Sequence, residues 1–292
     1  MHRCSLAAAA IGTIVLALVA ASTASASQRI ALDASRVTLA ADANGRAVVT
    51  YRVGGATRRV VAWGAVNARA PERARPQVRF RLRYSESGSV RNTCAAYDGP
   101  WLAWFVTGCR ASDGSYWALQ QWQRLLPGRG RHANARQAAW ELRLSHWRGP
   151  LPEFVIKLDW AYRRYDHLYG WYSYLGHPIF GFRVTRVGRP LDGYARNVYL
   201  DTHNSAYGRG WRREGAFLTQ NPRGNFCWGF YPREGRTPGK GDRYRATVIG
   251  PGVMPDMYAE VAALGAYDHA HDRAANDEQR RLAGNSRYCR PN

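Results

Sequence analysis

The chain has 292 residues, 46% of them hydrophobic and 22% charged, a balance that excludes a disordered polymer and leaves room for one large or two small domains with a true apolar core. Its 42 basic and 21 acidic residues give a formal net charge of +21, and every basic residue except Lys157 and Lys240 is arginine. The excess belongs to the body of the chain, because residues 27–100 hold 13 basic and 5 acidic groups, residues 101–253 hold 23 and 10, and residues 254–292 hold only 5 and 6.

Residues 1–26 read as a secretory signal peptide. A short basic start (His2, Arg3) leads into an apolar stretch over 6–20 and a small-residue segment ending Ala24-Ser25-Ala26, the A-x-A cleavage pattern. The mature chain then begins near Ser27. The apolar stretch is shorter than the roughly 20 residues a spanning helix needs, and no later stretch rivals it, so the expected location is secreted, extracellular or cell-wall associated. Cys4 leaves with the signal, and the four remaining cysteines, Cys94, Cys109, Cys227 and Cys289, imply two disulfides in an oxidising compartment. Of three possible pairings, Cys94–Cys109 with Cys227–Cys289 is preferred, since the first closes a short loop carrying Asp98-Gly99-Pro100, worth about 3 kcal/mol in the chain-entropy model. No C-x-x-C pair occurs, and neither a metal nor a cofactor is expected.

Residues 27–88 read as an N-terminal antiparallel β module. Strands over 37–41 and 47–53 flank the hairpin signal Asn44-Gly45, Gly54-Gly55 turns into a third strand over 58–66, and residues 78–84 alternate without a break. That alternation sets Val78, Phe80, Leu82 and Tyr84 on one face and Arg79, Arg81 and Arg83 on the other. Four such strands are marginal alone, so this sheet is expected to pack on the remainder of the chain. Residues 89–265 read as an aromatic-rich β or α+β domain. A helix is expected over 115–126, with Asp113 or Ser115 capping it, Ala118, Trp122, Leu125 and Leu126 at helical spacing, and Pro127-Gly128 ending it. Strands are expected over 140–146, 154–162, 168–175, 179–187, 197–202, 211–218, 225–231 and 242–249, with a turn at Gly176-His177-Pro178. A short helix is expected over 255–264, from Pro255 and Asp256 to Gly265, and the polar tail 266–292 suggests another over 268–283. The expected class is mainly β (α+β): antiparallel sheets, a β-sandwich being one arrangement, with two or three short helices.

Standard catalytic signatures, H-E-x-x-H, G-x-S-x-G and G-x-G-x-x-G, are absent. The catalytic candidates are Asp201 and His203, two apart on one strand face, where a carboxylate orients an imidazole; Asp159, Asp166 and His167 join them only if the fold brings them near. The binding candidates are the row Arg79, Arg81, Arg83, whose roughly 6.7 Å spacing suits phosphates along an extended polymer, and the aromatics Trp171, Tyr172 and Tyr174, within a belt that also includes Trp160, Tyr162, Tyr165 and Tyr169. Alternation sets Tyr172 and Tyr174 opposite to Trp171.

Three sets of residues, 113–120 (DGSYWALQ), 200–202 (LDT) with 204–208 (NSAYG), and 244–253 (YRATVIGPGV), resemble an uncharacterised family of secreted actinobacterial proteins with no assigned activity. The resemblance covers roughly residues 94–256 and implies export and a shared fold, without cofactor or catalytic residues. The expected function is a basic, non-catalytic protein that binds an anionic polymer or glycan of the cell envelope, nucleic acid being a further polyanion of the same chemistry. The alternatives are a secreted hydrolase of a wall or matrix polymer using Asp201 and His203, and an extracellular scaffold whose charge is incidental.

Overall fold

The computed structural model describes residues 27–70, 77–85, 87–123, 139–179, 198–205, 208–213, 217–220, 225–229 and 240–284, with backbone alone in the strands at 217–220 and 225–229 and at residue 283. The signal segment 1–26 and most of the strand expected over 179–187 lie outside them.

After β1 (Gln28–Leu32) come β2 (Ser35–Ala41), β3 (Arg46–Val53), β4 (Ala56–Trp63) and β5 (Arg81–Tyr84), which form an antiparallel sheet in sequence order. Both hairpins form where expected. Gly45 adopts φ 69° in the first turn, whose chain Asp42 closes by accepting from the Asn44 and Arg46 amides at 3.0 Å, and Gly54 and Gly55 adopt 56° and 83° in the second. Alternation then sends Val49, Tyr51, Val60 and Ala62 inward and Arg52, Arg59, Arg81 and Arg83 outward.

The inward face packs on a central sheet made by β6 (Ala95–Ala96), β7 (Phe105–Arg110), β8 (Tyr116–Gln123), β9 (Trp140–Trp147) and the returning β1, in the order β1-β9-β8-β7-β6. Here the helix expected over 115–126 is replaced by strand β8. Trp117 and Leu119 fill the core shared with the N-terminal sheet, whereas Ala118 and Trp122 face the opposite side and join other cores. A strand buried on both faces loses polar alternation, so the apolar residues fell by coincidence at helical spacing. Trp117 shows what holds the layers together: it has no exposed surface and lies between Phe80 (5.4 Å) and the parallel ring of His146 (3.7 Å). The Cys94–Cys109 disulfide ties β7 to the strap leading into β6. The second expected bridge, Cys227–Cys289, involves a side chain and a residue outside those described.

The far face of the central sheet meets a second pair of sheets. β10 (Glu153–Ala161), β11 (Tyr165–Tyr174) and β12 (His177–Pro178) belong to one; β13 (Val198–Ser205) and β14 (Gly208–Arg213) belong to the other. β15 (Phe217–Gln220) and β16 (Asn225–Gly229) return to the first, in the order β10-β11-β16-β15, and β17 (Arg243–Val248) and β18 (Met257–Ala262) complete the second, β14-β13-β17-β18. Leu158, Leu168 and Tyr172 from one, and Leu200, Tyr244 and Ala246 from the other, share a core. The short helix expected over 255–264 is β18 instead. Met257, Ala259 and Val261 pack inward while Tyr258 and Glu260 alternate outward, paired against β17, a period of two that outweighs the cap signals Pro255 and Gly265.

The tail forms the single helix of the described residues, α1 (His269–Ala283), where a helix over 268–283 is expected. Asp268 caps it by accepting from the Ala270 and His271 amides, and Gly284 ends it. Lys157 on β10 pairs with Glu278 on α1 at 2.8 Å, docking the helix on the outer face of its sheet. Among the described residues no helix is long and apolar enough to cross a membrane.

Candidate functional site

Register places the functional side chains of the β14-β13-β17-β18 sheet on its outer face. Asp201 lies opposite both Arg213 and Arg245, His203 opposite Trp211 and Arg243, and Arg245 opposite Glu260. Residues directly opposite share a face, so three arginines, three acidic or imidazole groups and Trp211 form one patch. Trp101 and Trp104, from the segment before β7, lie over the edge of this patch against Tyr258, with ring centroids at 5.9 and 6.0 Å.

Asp201 is buried and clamped, accepting from Arg213 Nε at 2.5 Å and Arg245 Nε at 2.9 Å. Burial pushes its carboxyl upward, but Arg213 and then Arg245 outweigh that and hold it below the usual carboxylate range. Arg245 is itself sandwiched between Trp211 (4.3 Å) and Trp104 (4.4 Å), and Arg213 lies over Tyr199 (5.2 Å) and Trp122 (5.9 Å). Such stacking fixes the guanidinium planes. Arg243 covers Trp211 at 5.4 Å and pairs with Glu260 at 3.1 Å. The Tyr258 hydroxyl donates to Glu260; burial, then that carboxylate, push its pKa up to about 12.

Asp201 and His203 share a face, as their spacing implies, yet they do not form a pair. His203 Nδ1 meets Asp242 Oδ1 at 2.6 Å, and Asn204 Nδ2 donates to the other oxygen at 2.9 Å, which holds the exposed Asp242 carboxyl below its usual range through the Asn204 and His203 hydrogen bonds. Gly241 permits this: a Cβ there would stand 2.2 Å from the His203 carbonyl oxygen. Asp159 and His167 pair with one another at 2.8 Å on β10 and β11, and Asp166 accepts from the Tyr244 hydroxyl at 2.6 Å; none joins Asp201. No group of three metal-ligating side chains occurs among the described residues.

The expected binding residues divide among three places. Arg81 and Arg83 are exposed on the outer face of the N-terminal sheet, and Arg79 precedes β5 in a half-buried position. Trp171 is half-buried and lines a shallow groove of about 340 Å³ with Ser173, Pro178, Arg281 and Leu282. Tyr172 and Tyr174 are core residues, at 0% and 2% exposure, and the Tyr172 hydroxyl donates to the Ile249 carbonyl. The Arg–Trp ladder was not foreseen from the sequence. Its signal was present as Trp211 beside Arg212-Arg213 and the alternation Arg243-Tyr244-Arg245, but only the pairing of β14, β13 and β17 superimposes them.

No known protein family, no characterised protein and no solved structure matches the chain.

Proposed function

We propose that this is a non-catalytic, envelope-associated protein that binds a glycan, acidic residues included, through the Trp101, Trp104, Trp211 and Tyr258 shelf. The observation that carries this reading is Trp101, 75% exposed yet held edge-on by Tyr258, beside arginines that stacking and ion pairs keep in fixed planes. A large aromatic left in water beside oriented polar groups suits a sugar ring, whose C–H face stacks while its hydroxyls and carboxylates take hydrogen bonds. Arg213 and Arg245 are paired with Asp201 and Arg243 with Glu260, which favours a hydroxyl-rich ligand over a bare polyphosphate. Arg52, Arg59, Arg81 and Arg83 on the outer face of the N-terminal sheet supply a separate, salt-sensitive attraction for anionic chains. Export, and membership of the secreted family that the sequence resembles, are part of the same reading.

The test is sedimentation with insoluble cell-wall glycan at low and high salt. Trp101→Ala is expected to reduce the bound fraction at both salts, with an unchanged melting temperature. Arg81→Gln with Arg83→Gln is expected to reduce it at low salt alone. Equal binding by wild type and Trp101→Ala would remove the shelf from the interface. A hydrolytic reading retains one supporting observation, the His203–Asp242 pair, since Asp201 is held by two arginines; it requires that His203→Ala abolish turnover of a glycan that the wild type cleaves.

A further inference from the structure

A buried polar cluster on the far face of the central sheet belongs to neither binding face. At its centre is Ser27, the residue that follows Ala24-Ser25-Ala26, and it has no exposed surface. Its hydroxyl donates to Asp256 Oδ1 and accepts from Arg143 Nε at 2.8 Å, and its carbonyl accepts from Arg143 Nη2. Asp256 is completely buried. It also accepts from the Gly250 amide at 2.9 Å and from Trp122 Nε1 at 2.7 Å, and lies 3.1 Å from Arg143 Nε. Arg143 donates through Nη1 to Glu141 at 2.6 Å, and Glu141 is buried as well.

Among the described residues, one buried guanidinium thus spans two buried carboxylates, and a second cation, Arg29, reaches Glu141 at 3.1 Å with a side chain 52% exposed. Buried carboxylates are costly unless cations and hydrogen bonds compensate them. Burial does raise the Asp256 carboxyl above its usual range despite Arg143, Ser27, Gly250 and Trp122. The position of Asp256 is fixed from both sides. A Cβ on Gly250 would stand 2.1 Å from the Pro255 carbonyl oxygen, so the turn over 249–256 has one close-packed path, and the Asp256 amide donates to Gln120 Oε1 at 2.8 Å. Ser27 is fixed by β1, whose pairing with β9 starts at the next residue, Gln28 opposite Leu144.

We propose that cleavage between Ala26 and Ser27 completes this cluster: the new α-ammonium of Ser27 becomes the second buried cation and pairs with Asp256, locking β1 to the 249–256 turn. The reaction is peptide hydrolysis by an endopeptidase that removes signal segments. Water adds across the bond, Ala26 departs with the carboxylate, and the Ser27 nitrogen changes from a neutral amide with one hydrogen to an ammonium with three. That nitrogen is three bonds from the Oγ that already touches Asp256, which puts the new charge within reach of its partner. Maturation thereby becomes a step in stabilisation as well as in release.

The chain has two lysines, Lys157 and Lys240, with side chains 41% and 45% exposed, so the mature protein holds only three amines and each can be followed by peptide mapping. The exported protein is expected to begin at Ser27. Acetylation of the native protein with an N-hydroxysuccinimide ester at neutral pH is expected to modify both lysines and spare the α-amine, which reacts once denaturant is added. A chain that retains Ala26 is expected to melt lower by about 5 °C or more, since a lost buried pair costs several kcal/mol and a chain of this size shifts about 2–4 °C per kcal/mol. Asp256→Asn is expected to shrink the difference between the two forms. A different first residue, full native acetylation of the α-amine, or equal melting of the Ser27 and Ala26 forms would each overturn the proposal.

Discussion

Two sheets of this molecule turn arginines toward the outside, and they hold them in opposite ways. On the N-terminal sheet Arg81 and Arg83 extend into water from a strand whose other face serves the core. On the β14-β13-β17-β18 sheet Arg213 and Arg245 converge on Asp201 and lie against Trp122, Tyr199, Trp104 and Trp211. The first arrangement supplies long-range, salt-screened attraction. The second forfeits some net charge to gain fixed geometry, which lowers the entropy lost when a ligand is held.

The most severe way to break this contrast is to remove Asp201. Asp201→Ala leaves two largely buried guanidiniums without their shared anion, and a loss of about 3–5 kcal/mol is expected in urea unfolding. A loss below about 1 kcal/mol would mean that the two arginine sets are equally solvated.

Acid separates the regions by window. His146 is wedged against Trp117, its ring nitrogens meeting Ser115 Oγ at 2.8 Å and the Ala65 carbonyl at 2.7 Å, with the charges of Asp113 and Arg148 acting on it in opposite directions. Burial lowers its pKa from 6.5 to about 4. The unfolded chain therefore takes up a proton that the folded chain refuses. Stability is full above pH 6.5 and falls as pH drops toward 4, by on the order of 3 kcal/mol. For Asp201 the folded value lies below the ordinary 3.8, so its contribution is full above that value and is lost only as pH falls through the lowered one. Hydrogen exchange at pH 5 is expected to show weakened protection in β4 and β9 while β13 and β17 hold. Simultaneous loss in all four would erase the distinction.

The smallest effect sharpens the comparison from the other side. Arg81→Gln with Arg83→Gln is expected to change stability by no more than about 0.5 kcal/mol per site, yet to shorten retention on a heparin column. A stability loss of several kcal/mol would show that these arginines also serve the fold.

The N-terminal sheet was legible because its signals are local. Asn44-Gly45, Gly54-Gly55 and the alternation around Arg81 each specify geometry within a few residues, although the strand expected over 78–84 pairs only at 81–84, and β10, β11, β17 and α1 announced themselves similarly. The strand β8 was not, since its two faces enter different cores and no sequence window contains both partners. The candidate site was half legible. Asp201 and His203 were found on one face, but their partners, Arg213, Arg245 and Asp242, lie 12, 44 and 39 residues away in sequence. The Tyr172 and Tyr174 side chains alternate away from Trp171 as expected, and it was the opposing sheet that made that side the core.

Sequence alone pointed to the two N-terminal hairpins, most of the strands, a helix over 268–283 and, as the preferred of three pairings, the Cys94–Cys109 bridge, because each depends on short-range sterics, a single turn or a short loop. Tertiary structure decided which strand faces became core, which arginines became rigid, and that Ser27 and Asp256, 229 residues apart, share one buried cluster. Burial and cross-strand pairing are properties of the assembled layers, and the desolvation that gives those charges their energy does not exist until the layers close.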